Sequence, residues 1–170
     1  QESTNIIRDM INAKEISLPA KVNVFYTKGL LNNGSHFLNL LEFWFGNIQK
    51  VLFSKIEDFW DGSDHNIDFK VQFDNCIANF KSSSKNSRYP NSMEIFSNDG
   101  NLAYEDNGDK ISWQNIQQSK GQHSDLNKYQ LCVFDELSNF LNKRPYKLCS
   151  AEEALVTIRN SHKILLEAKK

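Results

Sequence analysis

The sequence lacks the features that define several broad classes of protein. No run approaches the roughly 20 apolar residues of a membrane-spanning helix, and the first residues lack the basic-then-apolar pattern of a secretion signal. Neither GxGxxG nor GxxxxGK[ST] occurs, so the chain has no phosphate-binding loop of its own. A formal net charge of −1 gives no electrostatic argument for binding nucleic acid or an anionic membrane.

Cysteine is scarce and forms no motif. The three cysteines, Cys76, Cys132 and Cys149, are odd in number and show neither CxxC spacing nor an even disulfide framework. We therefore expect reduced, partly buried thiols in a cytoplasmic protein. No cluster of histidine, cysteine and acidic residues has the spacing of a metal site, so no metal is expected.

What is present suffices for one domain over residues 1–170. An apolar fraction of 39% and twelve phenylalanines can build a single sizeable core. The chain begins without a methionine and enters a predicted helix almost at once. That start favours a fragment of a longer protein.

The apolar periodicity predicts the order helix, strand, helix, a run of five or six strands, and two closing helices. Asn98-Asp99-Gly100 and Asn107-Gly108 are turn signals between neighbouring strands, because a tight hairpin needs residues that tolerate positive φ. Short connections of this kind imply a largely antiparallel open sheet. We therefore predict an α+β fold with the helices packed on one face of that sheet.

Two apolar patterns predict what each surface contacts. Phe69, Val71 and Phe73 alternate with polar residues, and we expect them on the sheet face without helices, where a second subunit would cover them. The last helix is predicted to begin with a capping box at Ser150 and Glu153. Its apolar stripe comprises Ala154, Leu155, Ile158, His162 and Leu165.

Asn32 and His36 are the strongest candidates for chemistry. They are four residues apart at the start of an apolar helix predicted from about Gly34 to Phe45. If that helix begins near Asn32, both side chains fall on one face of its first turn. The helix N-terminus offers backbone N–H groups to an anion or a polar substrate oxygen. His36 is therefore either a proton acceptor for a hydroxyl being oxidised or a histidine that caps and packs the helix.

The other histidines are weaker candidates. His65 lies in the turn DGSDHN and is expected to be solvated, whereas His162 falls on the apolar stripe and is expected in the core. His123 follows Lys120 in a loop before a helix, which either borders a ligand cleft or is an ordinary surface loop.

Four stretches together resemble the C-terminal domain of the Gfo/Idh/MocA family of oxidoreductases, named for glucose–fructose oxidoreductase and inositol dehydrogenase. The LLNNGSHFLNLLEFWFG segment is similar to the family's Asp-x-Gly-x-His segment and the helix after it. The other three are, in chain order, NIIRDMINAKEISLPAKVNVFY, MEIFSNDGNLAYE and YQLCVFDELSNFLNKRPYKLCSAEEALVTIRNSHKILLEAKK. They cover nearly the whole chain in the family's order.

The resemblance implies the substrate-binding and dimerisation domain of an NAD(P)-dependent oxidoreductase acting on a sugar, cyclitol or nucleotide-sugar. His36 takes the place of the family's acid/base histidine. Tyr26 and Lys28 in the short loop before Asn32, together with Lys120 and His123, are candidate substrate contacts. NAD or NADP would be bound mainly by an N-terminal Rossmann domain absent from this chain, so the fragment alone is expected to be inactive.

The sequence departs from the family pattern at position 32. The family has an aspartate there, and this chain has Asn32. A carboxylate would favour a protonated imidazole at His36, whereas an amide can only orient it through a hydrogen bond. The alternative to an enzyme is therefore a non-catalytic ligand-sensing or regulatory relative with the same fold.

Overall fold

The computed structural model describes residues 2–62, 64–83, 91–113, 116–119 and 126–170, with the backbone alone at 2, 116–119 and 126–129. Four α-helices lie in this part of the chain: α1 Glu2–Asn12, α2 Ser35–Phe45, α3 Leu126–Leu141 and α4 Ala151–Ala168. The strands are β1 Ala20–Tyr26, β2 Lys50–Asp61, β3 Asp64–Gln72, β4 Cys76–Ser82, β5 Ser92–Ser97, β6 Gly100–Glu105, β7 Lys110–Trp113 and β8 Ile116–Ser119.

The strands form one open sheet in the order β2-β3-β4-β1-β5-β6-β7-β8. Every neighbouring pair is antiparallel except β1 and β4, which run parallel with Val24 opposite Phe80. The first strand in the chain thus lies inside the sheet, paired on both edges. The predicted α+β fold with a largely antiparallel sheet is confirmed, and β8 is a strand that the sequence did not predict.

The core lies between the sheet and the helices on one of its faces. In β1, Val22, Val24 and Tyr26 are buried while the alternate residues are exposed or half-buried, as the two-residue period of a strand requires. Helix α2 packs across this face with Leu38 and Leu41 fully buried. Burial of such apolar side chains is the main favourable term in folding.

Aromatic rings of α2 pack against two separate parts of the sheet. The Trp44 ring meets Tyr104 of β6 edge-on at 6.0 Å between centroids, and Phe45 lies 6.3 Å from Phe73, just after β3. Trp44 and Phe45 are the last residues of α2, so these contacts anchor its C-terminal end to strands on both sides of β1. The first turn of α2 is anchored by Phe37, whose ring meets Tyr104 edge-on at 6.5 Å between centroids.

The expectation that Phe69, Val71 and Phe73 lie on the uncovered sheet face is wrong. All three are at most 2% exposed and belong to the core beneath the helices. The alternation was identified correctly, but its direction was reversed, since a period of two does not say which face points inward. The opposite face carries polar residues such as Asn23 and Asn79, whose side chains bond to each other at 3.2 Å.

Helix α4 begins as predicted but turns a different face inward. The Ser150 and Glu153 capping box is present in full. The buried residues are Thr157, Ser161 and Ile164, whereas the predicted stripe is mostly exposed, with Ile158 at 53%. The physical reason is that Thr157 and neighbouring Asn160 donate hydrogen bonds to the carboxylate of Glu42 on α2. The polar face of α4 therefore packs inward.

None of the described helices is both long enough and apolar enough to cross a membrane.

Candidate functional site

A tight reversal after β1 leads into the segment with the candidate residues. Lys28 and Gly29 both adopt left-handed backbone conformations, with φ of 66° and 82°. Six residues, Gly29–Gly34, then form a π-helical turn that runs directly into α2. Turns of this kind are rare and occur frequently at functional sites. The helix start predicted near Gly34 agrees with α2, whereas the π-helical turn before it was not predicted from sequence.

The structure leaves Asn32 and His36 accessible on the surface of this segment. Both are exposed, while Phe37 and Leu38, which directly follow His36, are buried. His36 is therefore not a packing residue of the core, and its imidazole is open to a ligand. Its role in acid/base chemistry stays a prediction.

Two N–H groups at the head of this segment, those of Leu31 and Asn32, are bonded to a carboxylate of the chain itself, contrary to the sequence-based expectation that they are open to a ligand anion. The N–H of Leu31 donates to Oδ1 of Asp64 over 3.0 Å, and the N–H of Asn32 donates to Oδ2 over 3.2 Å. Asp64 lies at the start of β3, and its carboxylate occupies the position that an anion would take at a helix N-terminus.

Strand β3 presents a row of polar side chains at alternate positions. Oδ1 of Asn66 accepts the N–H of Gly29 at 3.0 Å, next to the bonds made by Asp64. Asp68 accepts the ammonium of Lys81 at 2.6 Å and the N–H of Ser82 at 2.8 Å. The hydrogen bond that Lys81 donates to Asp68, together with the negative charge of that carboxylate, raises the pKa of Lys81. Asp64 and Asn66, at the start of β3, therefore bind the site segment. Asp68, in the middle of β3, binds the end of β4.

The other predicted substrate contacts lie in different surroundings. Tyr26 is 1% exposed, and its hydroxyl bonds to the backbone of Ile67. Burial is the main cause that raises the pKa of Tyr26 above its ordinary value. Lys28 is exposed beside the π-helical turn, while Lys120 and His123 fall outside the described residues. Tyr26 therefore supports the site from within, and substrate contact by these four residues stays a prediction.

The environments of two histidines are the reverse of those predicted. His65, expected in solvent, is 8% exposed, and its ring lies 4.5 Å from that of Phe59 between centroids. His162, expected in the core, is exposed on α4. The turn is shorter than the predicted DGSDHN segment, because β3 already begins at Asp64. His65 therefore belongs to a strand and is buried there. His162 is exposed because α4 turns its other face inward.

Asp64, Asn66 and Ser35 belong to the candidate site and were not predicted from sequence. Ser35 donates from Oγ to the carbonyl oxygens of Leu31 at 2.9 Å and Asn32 at 2.8 Å. A serine just before an apolar helix is a local signal that could have been used. No local signal leads to Asp64, which lies 32 residues from Asn32 in sequence.

No group of three or more histidine, cysteine or acidic residues in the described ranges is arranged to hold a metal ion.

Comparison with known proteins identifies the fold. No sequence family and no curated protein matches the chain. Among solved structures, an oxidoreductase from Thermotoga maritima is similar with a TM-score of 0.79 at 16% identity, over 98% of this chain and 57% of that one. The aldose–aldose oxidoreductase from Caulobacter crescentus, complexed with glycerol, is similar with a TM-score of 0.75 at 14% identity, over 99% and 59%.

A third similar structure is the WlbA dehydrogenase from Bordetella pertussis, in complex with NADH and UDP-GlcNAcA. It has a TM-score of 0.70 at 15% identity, over 98% of this chain and 59% of that one. The chain therefore spans less than two thirds of each of these oxidoreductases. At these identities the likeness establishes the fold, and the fold expected from the Gfo/Idh/MocA resemblance is confirmed.

Proposed function

We propose that a chain with this oxidoreductase fold is the substrate-binding domain of an NAD(P)-dependent oxidoreductase. Its substrate would be a sugar, cyclitol or nucleotide-sugar, and His36 would be the acid/base. The observation that carries the proposal is the exposed pair Asn32 and His36 at the junction of the π-helical turn with α2. The similar structures complexed with NADH and UDP-GlcNAcA support the substrate class.

The proposed chemistry divides between this chain and a separate domain. His36 accepts the proton of a substrate hydroxyl as that carbon is oxidised, or returns it in the reverse direction. The side-chain amide of Asn32 orients the imidazole through a hydrogen bond without supplying charge. A bound nicotinamide supplies the hydride acceptor or donor.

The cofactor is proposed to be bound mainly by an N-terminal Rossmann domain outside this chain. The sequence has no glycine-rich phosphate loop. The helix N-terminus beside the candidate pair already bonds through Leu31 and Asn32 to Asp64, so it does not fit a pyrophosphate. This chain would instead shape the substrate side of the cleft.

We also propose a cytoplasmic homo-oligomer formed through the uncovered sheet face. The support is a set of half-buried apolar side chains on that face: Phe25, Ile77 and Phe96. Ile77 of β4 and Phe96 of β5 lie on either side of Lys21 of β1, and Phe25 lies further along β1. This set replaces Phe69, Val71 and Phe73, which belong to the core. Light scattering tests it, because a clean monomer contradicts it.

The test of the acid/base role uses the full-length protein with NAD+ and NADP+. Turnover is followed by nicotinamide reduction on glucose, myo-inositol and UDP-N-acetylglucosamine derivatives. We expect His36→Ala to lower kcat by about 10²- to 10⁴-fold, the usual contribution of general acid–base catalysis, with cofactor binding unchanged. His162→Ala is the control, since His162 is exposed on α4. Unchanged turnover in His36→Ala contradicts the assignment.

The second candidate function is a ligand-sensing or regulatory relative. The observation that favours it is Asn32 itself, because the family's carboxylate is absent. For a regulator, calorimetry would show binding of the sugar and the cofactor, yet none of these sugar, inositol and nucleotide-sugar substrates would be turned over. Asn32→Asp separates the two further: it should raise the rate of a weakened enzyme and leave a regulator without turnover.

A further inference from the structure

The backbone of Asn32 is held at both of its polar groups. Its N–H donates to Asp64, and its carbonyl oxygen accepts the hydroxyl of Ser35 at 2.8 Å. The same two side chains hold Leu31, through its N–H at 3.0 Å and its carbonyl oxygen at 2.9 Å. The exposed side chain of Asn32 therefore leaves a backbone whose orientation is fixed.

Asp64 is the long-range member of this arrangement. Ser35 lies within the same turn, whereas Asp64 comes from the β2–β3 hairpin, where it pairs with Asp61. Asn66 makes the neighbouring bond to the N–H of Gly29. The π-helical turn is thus fastened to the sheet through its donors, and Asp64 binds the two closest to the candidate pair.

Gly29 is shaped to admit the Asp64 carboxylate. A Cβ added at Gly29 would overlap the side chain of Asp64, and φ of 82° disfavours any residue with a side chain. Gly62, in the hairpin, also has positive φ, at 54°, yet an added Cβ there would meet nothing within 4 Å. The two glycines share the backbone constraint and differ in contact with Asp64.

We propose that Asp64 is the positioning residue of the Asn32–His36 pair. It fixes the backbone of Asn32, which lies one helical turn before His36, and so sets the position from which the Asn32 amide would orient the imidazole toward the substrate hydroxyl. A charged side chain from a distant strand thereby supports the site without touching substrate. The proposal rests on the proposed function of His36.

The first set of three variants separates position from charge in the full-length protein. Asp64→Ala removes both bonds, Asp64→Asn keeps an oxygen for one of them, and Asp61→Asn makes the same charge change across the hairpin. We expect kcat to fall by about 10- to 100-fold in Asp64→Ala, because misplacement of about 1 Å has effects of this size. The kcat of Asp64→Asn should lie between those of Asp64→Ala and the wild type, and the kcat of Asp61→Asn should match the wild type. The KM for the cofactor should be the same in all of them.

The second pair displaces the carboxylate without changing its charge. Gly29→Ala should lower kcat as Asp64→Ala does, while Gly62→Ala should leave it near the wild-type value. Circular dichroism and the melting temperature show that each variant is folded. Values of kcat within about twofold of the wild type in folded Asp64→Ala and Gly29→Ala overturn the proposal, since misplacement costs more than that.

Amide exchange by NMR distinguishes failure of this proposal from failure of the proposed function. Slow exchange at Leu31 and Asn32 is expected in the wild type and in Asp61→Asn, and fast exchange in Asp64→Ala. Equal exchange in the wild type and Asp64→Ala overturns the positioning role, whatever the turnover. A wild type without turnover on the panel, with exchange as expected, counts against the enzyme and leaves the hold of Asp64 on Asn32 established.

Discussion

The hydroxyl of Tyr26 bonds to both backbone groups of Ile67: it donates to the carbonyl oxygen at 2.5 Å and accepts the N–H at 3.1 Å. The pairing of β3 with β4 begins only at Phe69 opposite Phe80. Two residues earlier, at Ile67, the hydroxyl of Tyr26 takes the place of a strand partner. The end of β1, where the site segment starts, is thereby joined to the strand that carries Asp64.

Tyr26→Phe is expected to destabilise the fold, because it leaves a buried N–H and a buried carbonyl without their partner. The expected loss is about 1–3 kcal/mol in the free energy of unfolding, measured by urea denaturation. Tyr146→Phe is the control: Tyr146 is exposed, with its ring edge-on to Phe140, and should change stability by less than about 0.5 kcal/mol. Equal effects of the two substitutions would contradict the expectation.

Cys76 should make the fold sensitive to alkali. Burial raises the pKa of its thiol from an ordinary 9.0 to about 12. A raised pKa means that the folded state holds the proton more tightly, so this contribution is complete below about pH 9 and is lost as the pH rises toward 12. Relative to Cys76→Ala, the wild type should lose about 1–3 kcal/mol between about pH 9 and pH 11.

The control for Cys76 is Cys132→Ala, since Cys132 is exposed on α3. Its stability relative to the wild type should stay constant across the same pH range in urea titrations. A thiol reagent should also label Cys132 and Cys149 in the folded protein, and Cys76 only after unfolding. A Cys76→Ala variant whose difference from the wild type does not change with pH would refute the assignment to this thiol.

Glu42 joins the helix of the candidate site to the last helix. Its carboxylate accepts the hydroxyl of Thr157 and, at 2.6 Å, the side-chain amide of Asn160. Glu42→Gln keeps the shape and removes one of the two acceptors, so we expect a loss of about 1–2 kcal/mol in urea denaturation. Glu94→Gln makes the same change at an exposed strand position and should have little effect. Matching losses would show that these bonds contribute nothing of their own.

The features predicted correctly from sequence depend on neighbouring residues. The turn at Asn98-Asp99-Gly100 joins β5 to β6, and the Ser150 and Glu153 capping box starts α4. In both cases the residues that define the structure are within a few positions of each other. Structures of this kind form as predicted because their hydrogen bonds and backbone conformations need no distant part of the chain.

The features predicted wrongly depend on which distant surfaces meet. The stripe containing Ile158 is apolar and remains exposed, because Glu42 binds the polar face of α4 instead. Asp64 could not be assigned to the site from sequence, since nothing near it in the chain indicates that its carboxylate meets Asn32. Periodicity gives the faces of an element, and tertiary partners decide which face is buried.

The central place of β1 sets an order of events in folding. Both edges of Ala20–Tyr26 need partners that come much later, in Cys76–Ser82 and Ser92–Ser97. The β2–β3 and β5–β6 hairpins are made of adjacent segments and close short loops, whereas β1 must close long ones. We therefore expect β1 to enter the sheet after these hairpins exist, with its amides protected last in pulse-labelling exchange. The site segment, which begins where β1 ends, would then take its shape only in that final step.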